Sequence, residues 1–129
     1  MSDIPLVVFV DDEEMMHQLF KISFKQEIRS KLFNLKTFLN GKECLDYLEK
    51  SYSDISILFL ITDINMPVVN GMELLKEIKD KYPNIEVYMA SAYSGEDYIN
   101  QSMELGASDY FVKPIDFENI RKIISNKIA

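Results

Sequence analysis

Five short apolar runs, rich in β-branched and aromatic residues, recur along the chain with segments of helical period between them. The runs are 4–10 (IPLVVFV), 34–39 (NLKTFL), 57–62 (ILFLIT), 85–90 (IEVYMA) and 108–112 (SDYFV). The intervening segments place apolar residues on single stripes. Met16, Leu19, Phe20, Phe24 and Ile28 form one, Leu74, Leu75, Ile78 and Tyr82 a second, and Phe117, Ile120, Ile123 and Ile124 a third. Segments 41–50 and 95–105 carry a weaker version of the pattern and are also read as helices. Five strands alternating with five helices predict an α/β architecture with a parallel sheet. The nearly unbroken apolar character of 6–10 and 57–62 suits strands covered by helices on both faces.

The punctuation agrees with that reading. Asn40-Gly41 and Ser94-Gly95 fall at helix starts, and Pro83-Asn84 and Gly106 fall just past helix ends. With 129 residues and no repeat, linker or low-complexity tract, the expectation is a single domain over 1–129 with no effector domain.

Charge and composition exclude several roles. The formal net charge is −7, and Lys79, Lys81, Arg121, Lys122 and Lys127 have acids or apolar residues between them. No basic patch is evident, which argues against direct nucleic-acid binding. No apolar stretch approaches the ~20 residues needed to span a bilayer. The N-terminal LVVFV is too short for a secretory core and runs straight into DDEE. The single cysteine, Cys44, cannot form an internal disulfide, which suits a cytoplasmic protein. With Leu45 and Leu48 near it on a helix, Cys44 reads as a small buried hydrophobe rather than a reactive thiol.

In an open parallel sheet, ligands bind beyond the carboxyl ends of the strands. Asp11 and Asp12 follow the first strand, Asp63 the third, Ser91 the fourth and Lys113 the fifth. These residues therefore converge at one edge. Two like charges ~5 Å apart cost about 3 kcal/mol at an effective dielectric near 20. Lys113 and a bound cation are the candidates to offset that repulsion. Oxygen ligands without Cys or His select a hard ion, Mg²⁺ or Mn²⁺. Such an ion retains open positions that suit a phosphate oxygen, so the edge reads as a phosphoryl pocket.

Taken singly, these residues have plainer readings. Asp11 and Asp12 could be a strand end and helix cap, Asp63 a turn residue before a proline, Ser91 a cap and Lys113 an exposed lysine. Their order and combination point further. VDD at 10–12, DINMPVVNG at 63–71, SA at 91–92 and KP at 113–114 resemble the receiver domain of two-component response regulators, of the chemotaxis type. The resemblance spans almost the whole chain. It implies a flavodoxin-like, doubly wound sheet of strand order 2-1-3-4-5.

The resemblance also implies roles. Asp63 would accept a phosphoryl group from a phosphohistidine on a sensor histidine kinase or histidine phosphotransfer protein. Asp12 and Asp63 would bind Mg²⁺ directly, with the backbone carbonyl of Asn65 as a third ligand and Asp11 acting mainly through a metal-bound water. Ser91 and Lys113 would each bond a phosphoryl oxygen. Tyr110 would be the aromatic switch residue, turning inward as Ser91 moves. That motion would alter the surface formed by the fourth helix, fifth strand and fifth helix, through which a downstream target or a second copy would bind. The Lys113-Pro114 bond would be cis. Asn65 and Tyr93 match positions at which the family varies, flanking the route of water to the phosphoryl group. His17 is expected on the surface with no catalytic role.

The implied function is a phosphorylation-controlled signalling switch that loses its own phosphoryl group, not a turnover enzyme. A receiver that only binds partners is an alternative, although every pocket residue is kept. An Asp-nucleophile phosphohydrolase would place a second Asp two residues on, where this chain has Asn65. An FMN carrier would need a phosphate loop after the first strand, where this chain has DDEE.

Overall fold

The chain winds β1 (Leu6–Val10), α1 (Glu14–Ser23), α2 (Lys25–Arg29), β2 (Asn34–Phe38), α3 (Gly41–Ser51), β3 (Ile57–Asp63), α4 (Gly71–Lys81), β4 (Val87–Ser91), α5 (Glu96–Glu104), β5 (Asp109–Val112) and α6 (Phe117–Ile128), with a 3₁₀ turn at Tyr52–Asp54. These elements come from a computed structural model that describes residues 4–128. All strand pairs are parallel and the order is β2-β1-β3-β4-β5, the doubly wound arrangement expected. Among the described residues no helix is long and apolar enough to cross a membrane.

The two-residue alternation of the strands builds two cores. Val8, Val10, Leu60 and Met89 face α3, α4 and α5 side chains such as Leu48, Leu74 and Ile78. Val7, Phe9, Phe59 and Ile61 face Phe20, Phe24, Ile120 and Ile124 on the other side. Cys44 is fully buried in the first core, where burial pushes its thiol up to about 12, as suits a packing residue.

The sequence pattern predicted five helices, and the structure has six. The first predicted helix bends at Phe24, whose φ and ψ are −111° and 20°. Phe24 N still donates to the Phe20 carbonyl and Ile28 N to that of Phe24, so the hydrogen-bond rhythm survives the bend. Arg121 of α6 donates to the Ser23 carbonyl at 2.9 Å and lies over the Phe24 ring. A donor from outside the helix thus satisfies a backbone group at the bend. The helix phase also differs from the predicted stripe. Leu19 is exposed, and His17, Phe20 and Phe24 form the buried face.

The start of α4 fixes the loop after β3. Asn70 and Glu73 form a reciprocal capping box. Gly71 N donates to the Ile64 carbonyl, and a Cβ at Gly71 would lie 2.1 Å from the Asp63 carbonyl oxygen. Only glycine allows the chain to return so closely beneath the end of β3.

Candidate functional site

Asp11 leaves β1 with its backbone N donating to the Phe38 carbonyl of β2. Its carboxylate is fully buried. Oδ1 accepts from Glu13 N at 2.9 Å and Oδ2 from Lys113 Nζ at 2.9 Å. Asp63 ends β3 and is 5 % exposed, with Oδ1 accepting from Ile64 N at 2.8 Å. Its Oδ2 lies 3.4 Å from Lys113 Nζ, which is also 3.8 Å from Glu13 Oε1. Lys113 is itself anchored, its backbone N donating to the Ser91 carbonyl, and it precedes a cis bond to Pro114.

The structure therefore brings Asp11, Asp12, Asp63 and Lys113 together. Carboxylate oxygens of Asp11, Asp12, Glu13 and Asp63 all lie within 4.8 Å of one another. Glu13 is a residue the sequence reading missed. Its only signal there was its place in the DDEE run, and the bond from its N to Asp11 is what turns it into the cluster.

Burial, and secondarily the Asp11 charge, holds the Asp63 carboxyl above the ordinary carboxylate range against the opposing pull of Lys113. For Lys113 burial pulls downward, but the bond to Asp11 and the charges of Asp11, Asp63 and Glu13 outweigh it, so its ammonium is held above its usual value. One cation facing four clustered carboxylates leaves net negative charge. An all-oxygen donor set of this kind, partly buried and partly open at Asp12 and Glu13, fits a hard divalent cation such as Mg²⁺.

Ser91 ends β4 one residue beyond Ala90, the residue paired with Asp63. It is fully buried, and its Oγ accepts from Tyr93 N at 3.1 Å. Tyr110 of β5 donates its hydroxyl to the Tyr93 carbonyl at 2.6 Å. Burial holds the Tyr110 phenol above its ordinary value, against the neighbouring Ser91 hydroxyl. The Tyr93 ring packs against Tyr98, with centroids 4.4 Å apart. Ser91, Tyr93 and Tyr110 thus form a second, linked group beside the carboxylates. Asn65 lies in the exposed loop two residues past Asp63.

His17 is not on the surface as expected. It is 5 % exposed, sits edge-on to Phe9, and its Nε2 is 2.8 Å from the Asp11 carbonyl. A carbonyl only accepts, so Nε2 carries the hydrogen. The helix phase that buries Phe20 and Phe24 turns His17 inward too, where the strand-end carbonyl supplies its partner.

The sequence profile of the response regulator receiver domain family matches residues 7–125. Sporulation initiation phosphotransferase F of Bacillus subtilis (strain 168) is 33 % identical over 120 residues, covering 92 % of this chain and 89 % of that protein. The transcriptional regulatory protein ZraR of Klebsiella oxytoca is 34 % identical over 90 residues, 70 % of this chain, which spans only 19 % of its length. The solved CheX-CheY-BeF3-Mg²⁺ complex from Borrelia burgdorferi contains a chain that superposes with a TM-score of 0.77. That chain is 27 % identical, with 97 % of this chain and 90 % of it covered.

Proposed function

Because the chain belongs to the response regulator receiver domain family, we propose that it is a signalling switch whose phosphoacceptor is Asp63. Receiver domains take a phosphoryl group from histidine kinases and control an output; they are not turnover enzymes. The observation that carries the specific reading is the pairing of a nearly buried Asp63 with Lys113 inside the carboxylate cluster. With Oδ1 held by Ile64 N, Oδ2 is the oxygen left to attack. It forms a P–O bond as the P–N bond of a partner's phosphohistidine breaks, and the leaving electron pair returns to the imidazole. Lys113 then faces the charge on the transferred oxygens, and the Ser91 hydroxyl bonds one of them. Asp12, Asp63 and the Asn65 carbonyl, with Asp11 acting through water, would hold Mg²⁺ or Mn²⁺, which supplies neutralising charge to the phosphoryl group. The Borrelia complex, which holds BeF3 and Mg²⁺, supports this reading by likeness.

The output would run through Ser91. Drawing its hydroxyl toward the phosphoryl group removes the acceptor from Tyr93 N, and Tyr93 also holds the Tyr110 hydroxyl. The surface of α5, β5 and α6 is the face this would alter, for a downstream target or a second copy. The donor would be a sensor histidine kinase or a histidine phosphotransfer protein, and the phosphoryl group would be lost by the chain's own hydrolysis.

Intact-mass measurement after incubation with acetyl phosphate and Mg²⁺ tests the acceptor. One hydroxylamine-sensitive phosphoryl adduct is expected, and none in Asp63→Asn. Equal labelling of that variant overturns the assignment.

A further inference from the structure

Residues 21–36 hold five cations, Lys21, Lys25, Arg29, Lys31 and Lys36, and one carboxylate, Glu27, in a chain of net charge −7. The fold brings three of them onto one surface. Lys21 of α1 and Lys25 and Arg29 of α2, all exposed, line one groove with Ile28 beside them and Asn34 and Leu35 of β2 opposite. Glu27 is turned away onto Arg121 of α6. Some cations elsewhere are matched, Lys42 by Asp46, Lys81 by Glu77 and Lys127 by Glu86. Among the described residues, Lys21, Lys25 and Arg29 have no carboxylate at ion-pair distance. Toward the phosphoryl pocket, Lys21 shares a second recess with Lys36, Glu14, Glu43 and Asp46, and those acids bound the basic field on that side.

Two further observations bear on what could lie there. Among the described residues β2 is an edge strand paired only with β1, so its outer side is open to accept a strand. Lys25 and Arg29, four residues apart on α2, are about 6 Å apart along the helix, and Lys21 precedes Lys25 by the same interval of sequence across the bend at Phe24. Alternate side chains of an extended strand recur every ~6.7 Å. The two spacings match closely enough for carboxylates at every second position to meet successive cations.

We propose that this groove docks an acidic, extended segment of a partner protein laid along the free edge of β2. Its carboxylates face Lys21, Lys25 and Arg29, and Ile28 and Leu35 form an apolar floor. A nucleic-acid duplex, with a charge every ~1.7 Å, would extend beyond the groove onto a strongly acidic remainder. The groove lies at the amino ends of the strands, away from Asp63, so occupation leaves the phosphoryl pocket accessible and does not depend on that assignment.

The test is a titration of the ¹⁵N-labelled chain with a ten-residue peptide of alternating Glu and Val. Amide shifts should concentrate in residues 21–36 and vanish in 0.5 M salt. The same peptide with Lys for Glu should leave these residues unmoved. The triple variant Lys21→Gln, Lys25→Gln, Arg29→Gln should bind about tenfold more weakly or worse, a loss of about 1.4 kcal/mol. If its melting temperature falls, Lys25→Gln alone is compared and should still weaken binding. Retained affinity, shifts centred elsewhere, or tighter binding of a ten-nucleotide DNA at the same residues overturns the proposal.

Discussion

Lys113 Nζ meets Asp11 Oδ2 at 2.9 Å although β5 and β1 are separated in the sheet by β4 and β3. The lysine spans the carboxyl edge and lies 3.4 Å from Asp63 Oδ2. Removing one member of such a pair leaves the other's charge buried without compensation. Lys113→Met should therefore lower stability at neutral pH by about 2–3 kcal/mol. That is below the usual loss for a fully buried pair, because Lys113 keeps 13 % side-chain exposure. Urea denaturation measures it, and Mg²⁺ should restore part of the loss. An unchanged midpoint would mean the pair contributes nothing.

The carboxylate cluster leads to a second expectation. A cation that binds only the folded chain raises the melting temperature by mass action, so Mg²⁺ at many times its dissociation constant should do so here. Asp12 is one of the two exposed acids of the cluster, with Glu13, and its removal leaves the buried Asp11 and Asp63 in place. In Asp12→Ala most of the Mg²⁺-dependent rise should disappear in a thermal scan. A full rise in that variant would locate the ion elsewhere.

Val68, in the loop between Asp63 and α4, has φ 69° and is 73 % exposed. A β-branched residue there carries about 1–2 kcal/mol of steric cost. Glycine relieves it while adding about 0.5–1 kcal/mol of unfolded-state entropy. Val68→Gly should consequently raise stability by up to about 1 kcal/mol, as read by denaturant midpoint. A clear destabilisation would show that the Val68 side chain makes up for its backbone cost.

Tyr88 gives the pH dependence. Burial, with Glu86 beside it, pushes its phenol from 10.0 up to about 12. The unfolded chain releases that proton near pH 10, whereas the folded chain keeps it to about 12. Stability is intact below pH 10 and falls as pH rises between the two values. The loss is about 2–3 kcal/mol. Tyr88→Phe should flatten the decline between pH 10 and 12 in chemical denaturation. The same slope in both proteins would assign the decline to other groups.

The Ser91–Tyr93–Tyr110 link predicts action at a distance. With beryllofluoride as phosphoryl mimic, amide shifts should appear at Tyr98, Ile99, Tyr110 and Ile115 as well as in the pocket. In Ser91→Ala the distal shifts should shrink while beryllofluoride still binds. Shifts confined to the pocket loops in the unmodified chain would rule out the coupling.

Much of the fold was legible because its signals are local. Continuous apolar runs marked β1 and β3, Asn40-Gly41 and Ser94-Gly95 marked helix starts, and acids at or just beyond the strand ends marked the site edge. The extra helix, α2, was not legible, since Phe20, Phe24 and Ile28 keep a helical period through the bend. What sets the bend apart is Arg121, ninety-eight residues from Ser23 in the chain. His17 was misplaced for a related reason. A polar residue beside acids reads as surface, and only the position of the Asp11 carbonyl shows what its ring can bond.

The sequence by itself determined the alternation of elements, hence the parallel sheet, and the identity of the residues that end each strand. Those features depend on side-chain period and backbone propensity over a few residues. The tertiary structure decided how those ends meet: Lys113 on Asp11 and Asp63, Glu13 turned into the cluster, Tyr110 on Tyr93, and Lys21, Lys25 and Arg29 in one groove. Each depends on strand order, register and helix phase. Those are set by how whole faces pack, and no short stretch of sequence encodes them.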